Sequence, residues 1–88
     1  MITVEAIDNM TFKVTVEGLT TTTHTVTVSP AYYEKLTTKR ISAEELVRQS
    51  FEFLLERESN TSVLRRFDLP DIGRYFPEYE STMRSRLD

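Results

Sequence analysis

The chain has 88 residues, of which 39% are hydrophobic and 28% charged, with five Phe and four Tyr but no cysteine. That length supports one domain over residues 1–88 around one core, the composition excludes an intrinsically disordered chain, and the lack of thiols excludes disulfide frameworks, thiolate zinc sites and cysteine nucleophiles. The net charge of −3 divides into one base against three acids over residues 1–29, five against six over 30–60 and five against five over 61–88, so no segment concentrates Lys and Arg as phosphate binding demands.

Met10 to Glu17 alternates, with Met10, Phe12, Val14 and Val16 on one face and Thr11, Lys13, Thr15 and Glu17 on the other, the pattern of a half-buried strand. His24, Val26 and Val28 repeat it opposite Thr25, Thr27 and Ser29, and Gly18 with the Thr20 to Thr23 run supplies a hairpin connection. Ile2, Val4 and Ala6 predict a strand in front, joined through a tight turn with Asp8-Asn9 at its positive-φ positions. A meander with one apolar and one Thr-rich face results, as expected of a sheet with helices on one side and water on the other.

Ser29-Pro30 then starts a short helix through Leu36, with Ser as N-cap, Pro in the first turn, and Tyr32 and Tyr33 half core and half surface. Ser42-Ala43-Glu44-Glu45 is a capping box opening a helix from Ala43 to about Arg57, on whose outer face Glu44 precedes Arg48 by four residues. Leu46, Val47, Ser50, Phe51, Phe53, Leu54 and Leu55 sweep an arc of roughly 200°, wider than a helix lying on a sheet alone needs. The helix must therefore be covered on two sides, by the sheet and by the C-terminal third or a second subunit. Beyond the polar break at residues 58–62, Val63, Leu64 and Phe67 fit a helical turn, Asp68 caps a short helix with Pro70 in its first turn, and Tyr79, Met83 and Leu87 recur at helical spacing after Pro77.

The polar residues show no catalytic constellation. His24, the only histidine, has no visible nucleophile or acid beside it and reads as a packed residue or a turn hydrogen bond. Glu52 and Glu56, one turn apart, could hold a divalent cation but equally form a solvated face, and two glycines cannot build a phosphate loop. No enzyme activity, cofactor or metal is expected. Arg65, Arg66 and Arg74, with Tyr75 and Phe76, form the one basic and aromatic cluster, which suits acidic neighbours within the chain or a protein partner better than nucleic acid. Phe53, Arg65, Arg66, Arg74 and Tyr75 are thus the candidate partner contacts, and a homodimer is slightly favoured should Phe53 stay exposed. No apolar run approaches the roughly 18 residues that cross a bilayer, and the N-terminus lacks the build of a signal peptide, so a cytoplasmic location without membrane contact is expected.

The strings Ser50-Phe51-Glu52-Phe53-Leu54-Leu55-Glu56-Arg57-Glu58 and Arg74-Tyr75-Phe76-Pro77-Glu78-Tyr79, with Glu45-Leu46-Val47 and Phe67-Asp68-Leu69, resemble a group of small bacterial proteins without an assigned activity. The resemblance implies a bacterial, cytoplasmic, single-domain protein and carries no catalytic residue. A hairpin followed by a helix is similar to small antitoxin-like regulators at the level of fold only. The expectation is an α+β domain, a three-stranded antiparallel β-meander followed by a long central helix and short C-terminal helices packed on one face. The expected function is a non-catalytic protein-interaction module, with a small nucleic-acid-binding or antitoxin-like regulator using Arg65, Arg66, Arg74, Arg84 and Arg86 as the alternative.

Overall fold

The structure, a computed structural model, describes residues 1–87. Strands β1 (Ile2–Ala6), β2 (Thr11–Val16) and β3 (Thr22–Thr27) form the antiparallel meander. Their two-residue period buries Val4, Phe12, Val14, Val16, His24 and Val26 on the inner face and turns Thr3, Lys13 and Thr23 to solvent. The turns depart from expectation. Asp8 and Asn9 have negative φ, since Thr38 and Lys39 are the positive-φ residues among those described; the β1–β2 connection is instead a longer one in which the Asp8 carboxylate accepts from the Met10 N–H at 2.9 Å. That bond keeps Met10 in the turn and exposed rather than on the core face. In the second hairpin Thr22 and Thr23 belong to β3, because β-branched side chains favour an extended backbone and pair well across a sheet.

Helix α1 (Pro30–Thr37) begins where the Ser29 hydroxyl accepts from the Tyr32 N–H at 3.1 Å. It ends through Thr38 and Lys39 at φ of 51° and 62°, a left-handed pair built without glycine. Helix α2 (Ala43–Leu55) opens on Ser42, whose hydroxyl accepts from the Glu45 N–H at 3.1 Å. The Glu45 carboxylate turns to Gln49 and Arg48, so Arg48 pairs with Glu45 at 3.6 Å and not with Glu44 as the four-residue spacing suggests. Arg48 is drawn there because its Nη1 also donates to the Ile2 carbonyl at 2.7 Å, tying α2 to β1.

The wide arc of α2 is covered on two sides, both by this chain. Toward the sheet, the Phe51 ring meets His24 at 5.3 Å and Phe67 at 6.0 Å between centroids. On the opposite side Phe53 is enclosed edge-on by Phe76 (5.9 Å) and Tyr79 (5.3 Å), with the Arg57 guanidinium 3.6 Å above its ring. Phe53 is 0% exposed, which corrects its place among the partner contacts and removes the ground on which it favoured a dimer. Helix α4 (Tyr79–Leu87) supplies much of this cover, burying Tyr79 and Met83 at the expected spacing. The Ser50 hydroxyl gives its proton to the Leu46 carbonyl at 2.8 Å and so receives one from the Tyr79 hydroxyl at 2.7 Å.

The segment read as a helical turn over Val63 to Phe67 is a strand. After a 3-10 turn at Asn60–Ser62, β4 (Arg66–Asp68) pairs parallel to β3, with Val26 opposite Phe67, and the sheet becomes four-stranded and mixed in the order β1-β2-β3-β4. A parallel partner needs a crossover of a dozen or more residues, which α1 and α2 provide. Asp68 then precedes a 3-10 turn (Leu69–Asp71) containing Pro70, where the Asp71 carboxylate accepts from the Asp68 N–H at 3.2 Å, and a single helical turn α3 (Ile72–Tyr75) follows. The domain is α+β, with a mixed sheet and four helices.

Candidate functional site

The C-terminal third is anchored to the sheet by a chain of hydrogen bonds that runs from the surface at Asn60 to the buried His24. The Asn60 amide donates to the Thr20 carbonyl at 2.7 Å and to the Thr22 hydroxyl at 3.0 Å. Thr22 lies 2.8 Å from His24 Nε2, and His24 Nδ1 lies 2.7 Å from the Leu64 carbonyl. A carbonyl only accepts, so Nδ1 carries a proton, and in the neutral imidazole that burial favours Nε2 is bare and accepts from the Thr22 hydroxyl. His24 Nδ1 thus joins β3 to the stretch before β4, while Nε2 is held by Thr22 of the same strand. Burial holds the His24 pKa below the ordinary 6.5; the Leu64 carbonyl opposes this and the charge on Arg65 adds to it.

The pH dependence of stability follows from that lowering. The unfolded chain takes up a proton near pH 6.5 while the folded imidazole does not, so stability is greatest above this pH and declines as the pH falls toward the folded pKa. Asp8, held low by the Met10 N–H, and Glu78, held low by its own backbone N–H and Arg57, titrate below this window. Urea midpoints at pH 7.5 and 5 are expected to drop for the wild type and to drop less for His24→Gln; equal slopes in the two proteins would contradict this account.

The anchored stretch forms the wall of an apolar groove of about 350 Å³ between the end of α2, β4 and α3. Leu54, Val63, Phe67 and Ile72 are its buried floor, half-buried Phe76 adjoins them, and Leu64 and Tyr75 stand at its mouth, 50% and 66% exposed. Its two charged lining residues are acids, Glu58 and Asp71. The Glu58 carboxylate has no hydrogen-bond or ion-pair partner among the described residues, whereas Asp71 takes the Asp68 N–H and a long contact, 3.9 Å, to Arg74.

The expected basic and aromatic cluster is only partly assembled. Tyr75 lines the groove and Arg74, its side chain 83% exposed, stands beside it. Arg65 follows Leu64 in sequence but lies outside the groove's lining, exposed and near enough to His24 for its charge to act on the imidazole. Arg66 alternates with buried Phe67 and so stands next to Thr25 on the far, Thr-rich face of the sheet. Glu56 is gripped by Arg86 through both oxygens at 2.8 Å, with Glu52 3.9 Å from the same guanidinium, and no group of metal-ligating side chains occurs among the described residues. Leu64 reads in the sequence as part of a helical turn, and Glu58 as part of a polar break, so neither marks a contact; the one available signal is an apolar residue next to Arg65 in a polar stretch. Among the described residues no helix is long and apolar enough to cross a membrane. Comparison with protein-family models, curated proteins and solved structures gave no match.

Proposed function

We propose that this chain is a non-catalytic protein-interaction module of a bacterial cytoplasmic protein, and that it binds through the groove between α2, β4 and α3. One observation carries the reading: Leu64 and Tyr75 are both exposed at the mouth of a groove whose floor is otherwise core. The other exposed large apolar residues, Met1, Ile7, Met10 and Leu19, lie at the N-terminus and in hairpin connections, where isolated apolar exposure is ordinary. The bacterial and cytoplasmic parts of the proposal rest on the resembling strings and the absence of cysteine. The alternative of a nucleic-acid binder is weakened because Arg74, Arg84 and Arg86 already face Asp71, Glu80 and Glu56.

The test is purification from the native cell with the bound protein identified, followed by rebinding of the two purified components. Tyr75→Ala is expected to weaken that binding by at least about tenfold, as loss of an aromatic anchor does, with little change on raising the salt concentration. Unchanged affinity in a folded Tyr75→Ala variant would overturn the reading. Steep loss of affinity with salt would point to phosphate contacts instead.

A further inference from the structure

We infer that the groove is filled by a second copy of the same chain, which seats its Leu64 between Leu64 and Tyr75 of the first and sets its Arg65 against the first copy's Glu58. This rests on the interaction reading above and names the partner. The groove is apolar and lined on its charged side only by carboxylates, so the segment that suits it is an exposed apolar residue followed by a cation. The chain carries that pair beside its own groove, since Leu64 lines the mouth half exposed and the exposed Arg65 follows it directly in sequence, outside the lining. Neither charge has an ion-pair partner within the chain: among the described residues the Glu58 carboxylate has none and the Arg65 guanidinium has none.

An unpaired carboxylate in the socket and an unpaired guanidinium beside the plug are complementary. Socket and plug share one patch, and a two-fold axis through such a patch makes both contacts twice and closes the assembly at two copies. Two apolar residues left half exposed by the folded monomer become buried, and two charges become paired.

Sedimentation over about 1 µM to 0.5 mM tests this, the upper limit being high enough to reveal micromolar association. The wild type is expected to pass from monomer to dimer across the range. Leu64→Asp is expected to remain monomeric with a native circular dichroism spectrum, because the Leu64 carbonyl held by His24 is backbone. Glu58→Arg is expected to weaken the dimer at least about tenfold, and Glu58→Arg combined with Arg65→Glu to restore most of the loss, as a swapped charge pair does. A monomeric wild type at 0.5 mM, a Leu64→Asp variant that dimerises like the wild type, or a charge swap without recovery would each overturn the inference. A monomer that still binds a separate protein through Tyr75 would overturn the second copy alone and leave the interaction reading standing.

Discussion

Phe51→Ala is expected to lower the stability of the domain by about 3–5 kcal/mol, the usual cost of emptying a buried aromatic site that cannot collapse. The Phe51 ring lies between α2 and the sheet and touches His24 and Phe67, which belong to the two strands paired in parallel. Its removal therefore opens a cavity where β3, the central helix and β4 meet, and neighbours fixed in three elements have little freedom to close it. Guanidinium midpoints read the effect directly. A near-neutral result would mean that the inner face of α2 is assigned to the wrong residues.

Phe53→Glu is expected to leave the chain largely unfolded rather than to produce a folded, more soluble protein. The ring is enclosed by Phe76, Tyr79 and the Arg57 guanidinium. Losing it costs about 3–5 kcal/mol by the same cavity argument, and a desolvated carboxylate adds to that. Arg57 offers little relief, because its Nε already donates to Glu78 and its Nη1 to the Phe53 carbonyl. The sum approaches the whole margin of a small domain, about 5–15 kcal/mol. Circular dichroism and amide protection decide the matter, and a native spectrum for Phe53→Glu would place the ring at the surface.

The difference between these two faces of α2 shows how far the sequence could be read. Residues bound by a local period were legible: the inward row Val14, Val16, Val26 and Val28, the caps at Ser29 and Ser42, and the Tyr79 to Met83 spacing are all visible within a few positions. The arc of α2 correctly demanded a second cover, but which chain supplied it depends on Phe76 and Tyr79 lying some twenty residues away. Strand β4 was hidden because three residues are too short for a period, and the helical spacing of Val63 and Phe67 is met equally well by two buried positions in extended chain. Its place is decided by β3, forty residues earlier, through Thr25 and His24. The groove shared that fate, since its walls come from α2, β4 and α3 together.

The parallel pairing of β4 also has a consequence for synthesis from the N-terminus. The meander and α2 can leave the ribosome and collapse while β3 is still an open edge, because the strand that covers it is made only after α1 and α2. During that interval the N–H of Thr25, bonded at 2.7 Å to the Arg65 carbonyl in the finished fold, and Nδ1 of His24, which in the finished fold meets the Leu64 carbonyl, are offered to water or to any extended chain nearby. The nascent meander is thus adhesive until β4 is made, and the arrival of Asn60 to Asp68 ends that exposure.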